Sequence, residues 1–189
     1  MLLAAGGGRR LGGHPKALLD HRGRPLVEHA ARVLKDGGCS PVHIVLGAVA
    51  DSVRERADLA AYTTSENPNW AQGMGSSLRV GLAALAGSGA DAVVVALVDQ
   101  PGIGAAAVAR VVAAYEGRAS LASAAYEGRR GHPVLLGADR WTDVAASAEG
   151  DRGARAYLQQ HADAITLVEC GDVAEAYDID RPEDLHRLE

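Results

Sequence analysis

The chain has 189 residues, 48% of them hydrophobic and 23% charged, with a formal net charge of −5 and two cysteines. That length suits one domain with a substantial core, and the composition is ordinary for a soluble globular protein. The acidic balance argues against a nucleic-acid surface, no stretch is long and apolar enough to span a membrane, and no secretory signal precedes the first strand.

The first predicted element is a strand over residues 1–5, and because the chain starts inside it, a residue or two is expected upstream. It empties into Gly6-Gly7-Gly8-Arg9-Arg10-Leu11-Gly12-Gly13, with Lys16 shortly after. Glycines let a ligand approach the backbone closely, and the three cations supply positive charge, so this loop is predicted to hold an anion, a polyphosphate in particular. No carboxylate neighbours Lys16 in the sequence.

A helix follows over 26–35, with Leu26, Ala30, Val33 and Leu34 on one face and Asp36-Gly37-Gly38 as its stop. Residues 42–46 read as a second strand, 51–58 as a short polar helix and 61–65 as a weak third strand. Residues 75–85 are helical, with Leu78, Leu82 and Leu85 at i, i+4 and i+7. The run Ala-Val-Val-Val-Ala-Leu-Val over 92–98 has the continuous apolarity of a strand buried on both faces, and a helix over 104–115 follows. Beyond it, 120–126 and 133–136 read as strands bracketing a GRRGH tip, and 141–146 and 153–161 as helices. Strands over 165–168 and 176–179 and a closing helix over 182–188, with proline in its first turn, complete the chain.

Strands alternating with helices of this length specify an α/β fold with a mostly parallel sheet. Ligands in such sheets bind beyond the carboxyl ends of the strands, so the loops after Ala5, Ser65 and Val98 are predicted to meet at one site. Cys39 and Cys170 stand far apart and outside any C-x-x-C, which predicts buried thiols in a reducing, cytoplasmic setting. His14, His21, His29 and His43 show no ligand spacing.

The glycine loop is not a P-loop. From Gly7 the spacing reaches Gly12 with Gly13 where lysine is required, and from Gly8 it reaches Gly13 followed by His14. A dinucleotide fingerprint begun at Gly6 finds Gly8 and then Leu11, and the strand VHIVLGA carries no ribose-binding acid. What remains is L-A-A-G-x-G-x-R-L-G from Leu3 to Gly12, followed by Pro15-Lys16-Ala17-Leu18-Leu19. With NPNWAQGMGSSL from Asn67, VDQP from Val98, GHPV from Gly131, GDRGAR from Gly150 and DIDRPED from Asp178, this resembles the MobA-like nucleotidyltransferases over nearly the whole chain, molybdenum cofactor cytidylyltransferases above all.

The resemblance implies a single-domain, Rossmann-like three-layer sandwich, with a nucleotide-binding part over 1–118 and an acceptor-binding hairpin and helix region over 119–189. It implies transfer of a nucleoside monophosphate from a triphosphate to a phosphorylated, pterin-type acceptor, with a molybdoenzyme or its chaperone as a further partner. Leu3, Ala4, Ala5, Gly6, Gly7, Gly8, Gly73, Ser76 and Ser77 then fall on the nucleotide, and Arg10 and Lys16 on its phosphates. Arg10, Lys16 and Asp99 form the catalytic set. Asp99 and Asp180 take Mg²⁺, ahead of Asp178, although Arg181 replaces the threonine of the family's Asp-Thr-Pro. Ala5-Gly6, where guanylyl-transferring relatives carry Gly-Gly, implies CTP, since an added methyl crowds a purine.

His132 and Arg155 are the residues expected on the acceptor, with Arg129, Arg130 and Asp151 adding donors and charge. Structural roles compete at several positions. Asp99, Asp180 and Asp151 are also helix-cap candidates, Arg129-Arg130 could be a solvated hairpin tip, and Trp70 could cover the base or simply pack. Arg9 is expected to face solvent. Two other functions are kept: a cofactor- or nucleotide-binding protein without transfer activity, and an oxidoreductase, a label that some relatives carry (nicotine blue reductase). The intact Arg10, Lys16 and Asp99 set favours transfer over both.

Overall fold

The computed structural model describes residues 1–188. β1 (Leu2–Ala4) leads to a small hairpin, β2 (Asp20–His21) and β3 (Arg24–Pro25), and then α1 (Leu26–Asp36). β4 (His43–Leu46), α2 (Ala50–Arg56), β5 (Thr63–Glu66), α3 (Met74–Leu85), β6 (Ala92–Leu97) and α4 (Ala105–Ala113) continue the alternation. The C-terminal part adds β7 (Leu121–Tyr126), β8 (Arg129–Gly137), α5 (Trp141–Ser147), α6 (Arg155–Gln160) and β9 (Thr166–Glu169).

Seven strands form one sheet in the order β5-β4-β1-β6-β8-β7-β9. All neighbours are parallel except where β8 runs antiparallel between β6 and β7. The inner strands are largely buried on both faces, whereas the edge strands β5 and β9 are mostly exposed, and buried side chains divide by the pleat's period of two. Leu2, Ala4, Ile44, Leu46 and Val94 join α1, α2 and α4 in one core layer. Leu3, Val45, Val93 and Val95 join α3, α5 and α6 in the other. This is the three-layer α/β sandwich the sequence predicts.

Two predicted elements differ. Residues 176–179 are not a strand: the segment crosses the end of the sheet, with Glu175 N–H bonded to Gly102 O at 3.1 Å and Ile179 N–H to Asp99 O at 2.9 Å. Fully buried Ile179 anchors it by packing rather than by a ladder. The GRRGH segment is not a hairpin tip either. The turn lies at Glu127-Gly128, both with positive φ, as a two-residue hairpin connection requires, and Arg129 through His132 already belong to β8. The closing helix is present over Pro182–Leu188, in 3₁₀ form.

Candidate active site

The glycine loop leaves β1 at the carboxyl edge of the sheet. Gly8 adopts φ 61, and a Cβ there would collide with the carbonyl oxygen of His14, so the tight turn demands glycine. The Gly8 carbonyl accepts from Leu11 N–H at 2.8 Å and Gly13 N–H at 3.0 Å, which folds the loop back on itself. A 3₁₀ turn, Lys16–Leu18, then points Lys16 across the strand ends.

Lys16 is the centre of the site. Its Nζ donates to Asp99 Oδ2 at 2.6 Å and also to Asp180 Oδ1. Arg10 reaches the same Asp180 carboxylate at 3.3 Å. Lys16 and Arg10 therefore do not stand free of acids, as the sequence suggested for Lys16; tertiary folding brings two carboxylates to Lys16 and one of them to Arg10. Asp99 lies just beyond β6, the neighbour of β1, and Asp180 arrives on the segment that crosses the sheet end. Burial pushes the Asp99 carboxyl up, and Lys16 offsets only part of that shift. Burial opposes the Lys16 charge, but Asp99 and Asp180 outweigh it and raise the ammonium above its ordinary range. The Lys16 hydrogen bond holds the Asp180 carboxyl below its usual value.

The competing cap roles of these acids are not used. The Asp99 and Asp180 carboxylates are spent on Lys16 and Arg10. It is Asp184 that accepts the N–H groups of Asp180 and Arg181, at 3.0 and 2.8 Å. Asp178 stands apart from the pair, accepting from Gln100 Nε2 at 2.8 Å.

The second loop closes on the first, as predicted for the strand ends. Trp70 lies against Gly7 and Gly47, and Arg9, though exposed, stacks over its ring at 5.6 Å. Ser76 and Ser77 are placed differently from the expectation that they serve the nucleotide. Both are buried, and buried Asn67 donates to their hydroxyls at 2.8 and 3.0 Å. Ser76 in turn donates to Gly73 O at 2.8 Å. These hydroxyls brace the loop instead of facing open space. The sequence reading missed Asn67; Asn-Pro-Asn was its signal, since the Asn67 side chain accepts from Asn69 N–H at 2.9 Å in an Asx turn. Gly73 (φ 104) abuts Gly150 and Asp151 of the C-terminal region. The methyl of Ala5 is also turned away from open space, being buried against Gly47, so it does not line a base pocket directly.

Gln100, the residue after Asp99, opens onto a cavity of about 440 Å³. Leu3, Leu78, Val95, Leu97 and Val134 line it with apolar surface, and Gln100, Arg130, His132, Asp151, Arg155 and Asp178 with polar groups. The β6–β8 register explains how distant residues meet. Val95 pairs with Val134, so antiparallel β8 carries His132 back to the carboxyl end of β6, where Asp99 follows. Burial lowers the His132 imidazole to about 4, Arg155 adding to the fall and Asp178 opposing it. Arg130 is partly committed, donating to Leu158 O at 2.9 Å. Arg129 lies at the exposed start of β8. Cys39 and Cys170 are free thiols.

Among the described residues no three His, Cys, Asp or Glu side chains gather into a metal cluster. The Asp99–Asp180 pair still fits a hard divalent cation that keeps most of its shell as water and phosphate, because both carboxylates already present an oxygen to one cationic centre.

A seven-stranded α/β sandwich with a glycine loop and paired acids at its carboxyl edge defines a nucleotide-handling domain. The MobA-like NTP transferase domain matches residues 1–165, and the chain belongs to that family. It is 44% identical to nicotine blue oxidoreductase of Paenarthrobacter nicotinovorans over 196 aligned positions, covering 100% of this chain and 94% of that protein. Molybdenum cofactor guanylyltransferase of Cereibacter sphaeroides is 37% identical over 134 positions, 71% of this chain and 65% of that one. The crystal structure of Rv0371c from Mycobacterium tuberculosis H37Rv superposes with a TM-score of 0.82 at 26% identity, covering 99% of this chain and 94% of that one. Rv0371c has also been solved in complex with manganese. No helix among the described residues is long and apolar enough to cross a membrane.

Proposed function

We propose that the protein is a nucleotidyltransferase that moves a nucleoside monophosphate, CMP from CTP, onto a phosphorylated acceptor of the molybdopterin type and releases pyrophosphate. The observation that carries this reading is the convergence of Lys16, Asp99, Asp180 and Arg10 at the mouth of the glycine loop, with a cavity lined by Gln100, the residue after Asp99, and by His132 and Arg155. The amides of Gly6, Gly7 and Gly8 receive the triphosphate, and Lys16 and Arg10 neutralise it. Asp99 and Asp180 hold Mg²⁺, which offsets charge building on the leaving pyrophosphate. Arg155 binds the acceptor's anionic group, neutral His132 orients it, and the apolar lining takes its ring. An acceptor phosphate is already ionised, so it attacks the α-phosphorus without a general base, and positioning plus electrostatics suffice. Residues 1–118 serve the nucleotide and 119–189 chiefly the acceptor, in a cytoplasmic enzyme with reduced thiols. CTP rests on the Ala5-Gly6 resemblance alone, because the Ala5 methyl packs on Gly47 rather than crowding open space, and the likeness to a guanylyltransferase favours GTP. Calorimetric titration of both with Mg²⁺ tests the base, and binding of GTP as tight as CTP would overturn it.

A second reading has one observation in its favour: the full-length likeness to nicotine blue oxidoreductase. Such an enzyme would oxidise a reduced nicotinamide nucleotide at the expense of a planar dye bound in the cavity. Pyrophosphate release with each of the four NTPs and Mg²⁺, run beside NAD(P)H oxidation, separates the two.

A further inference from the structure

Resting on the assignment of a metal ion to Asp99 and Asp180, we propose that Lys16 is a built-in counter-ion for that position, exchanged for the metal only when a nucleotide draws the lysine away. Metal ion and nucleotide then bind as a coupled pair, and neither binds well alone.

The first support is the geometry. One ammonium bridges both carboxylates, Asp99 at 2.6 Å and Asp180 in direct contact, and the Lys16 and Asp99 side chains are only 15% and 20% exposed. The Asp180 side chain is 36% exposed and admits water from its side, but beside Asp99 a dication arriving next to that ammonium meets a weakly screened like charge. The second support is that the carboxylates do not depend on Lys16 for their placement. The Ile179 N–H bond to Asp99 O ties the segment before Asp180 to the end of β6, and Asp184 fixes the Asp180 and Arg181 amides. The pair therefore stays together when the ammonium leaves; Arg10, at 3.3 Å, touches only Asp180, so Asp99 is left without a cation beside a neighbouring carboxylate, and the two repel.

The third support is where Lys16 can go. It follows the glycine loop on a flexible four-carbon stem, so a triphosphate on that loop offers it a new anionic partner. Moving the ammonium to the phosphates frees the carboxylates for the metal in the same event. Linkage then requires that the factor by which nucleotide tightens metal equals the factor by which metal tightens nucleotide.

The test uses Mn²⁺ as probe, titrated without nucleotide into wild type, Lys16→Met and Lys16→Met/Asp99→Asn, with binding read by calorimetry and melting temperature. The expected result is Mn²⁺ affinity in Lys16→Met at least about tenfold above wild type, with a melting temperature that Mn²⁺ raises. Both effects disappear in the double variant. Lys16→Gln, which keeps an amide donor for the carboxylates, is measured alongside and shows the same direction if Lys16→Met does not fold. A second titration, CTP in excess Mn²⁺ into wild type and Asp99→Asn, checks the metal site itself. If Asp99 matters there and the lysine variants bind Mn²⁺ alone no better than wild type, the counter-ion role is refuted while the metal site stands. If neither titration depends on Asp99, both are refuted.

Discussion

Asp99→Asn separates catalytic from structural roles, because the two consequences of the change differ in size. The substitution keeps the side-chain volume and one acceptor oxygen but removes the charge. In the resting protein that charge is costly: burial raises the Asp99 carboxyl and Lys16 offsets only part of it. Removing it relieves the desolvation penalty while losing one of two carboxylate partners of Lys16, which keeps Asp180. The opposing terms leave a net loss of about 1 kcal/mol, or about 2–4 °C in melting temperature for a chain of this size. In the reaction nothing replaces the lost charge. Loss of a main electrostatic contact to the transition state costs about a hundredfold or more in rate, about 3 kcal/mol. Pyrophosphate release at saturating CTP and Mg²⁺ measures the second effect and thermal melting the first. Raising Mg²⁺ should recover part of the rate, and Asp180→Asn should act in the same direction but less strongly. A rate within threefold of wild type, with unchanged Mg²⁺ dependence, would refute the reasoning. So would a variant that unfolds, because it would give Asp99 a structural role.

Three further outcomes are expected. Gly73→Ala forces a side chain onto φ 104 and places its Cβ 2.5 Å from the Gly150 backbone, so it should cost about 3 kcal/mol and lower the melting temperature by about 6–12 °C; a shift under 2 °C would mean that the loop yields freely. Trp141→Phe leaves Trp70, packed on Gly7 under Arg9, as the one tryptophan, so CTP with Mg²⁺ should change its fluorescence saturably. No change at concentrations that raise the melting temperature would place the nucleotide elsewhere. His132, lowered to about 4 from a model-peptide value of 6.5, stays neutral in the folded state while the unfolded ring takes its proton. Its contribution is therefore fully present above pH 6.5 and is lost as pH falls from 6.5 towards 4. The loss is about 2 kcal/mol after allowing for water at the partly open ring, and His132→Asn should remove that share of the acid sensitivity in melting curves against pH.

The parts of the fold that local chemistry determines were legible from sequence. Residues 92–98 read as a doubly buried strand because every position is apolar, and 26–35 as a helix because Asp36-Gly37-Gly38 ends it. The turn at Glu127-Gly128 was not, since glutamate rarely adopts positive φ, and so Arg129 to His132 looked like a tip rather than a strand. Residues 176–179 have the apolarity of a strand but cross the end of β6, whose two sides are already paired with β1 and β8. The site shows the same division. Arg10, Lys16, Asp99 and Asp180 stood out by motif, but their mutual contacts span up to 170 positions and exist only in the tertiary structure. Ser76 and Ser77 were expected on the nucleotide because the buried Asn67 that donates to them lies in an ordinary-looking turn.

The most direct test is a paired assay on the same preparation: pyrophosphate release from CTP and Mg²⁺ with molybdopterin-type cofactor as acceptor, and NAD(P)H oxidation with nicotine blue. The expected result is cofactor-dependent pyrophosphate release that falls about a hundredfold or more in Asp99→Asn, with no NAD(P)H turnover. Dye-dependent NAD(P)H oxidation that Asp99→Asn leaves intact, with no pyrophosphate from any of the four NTPs, would contradict it.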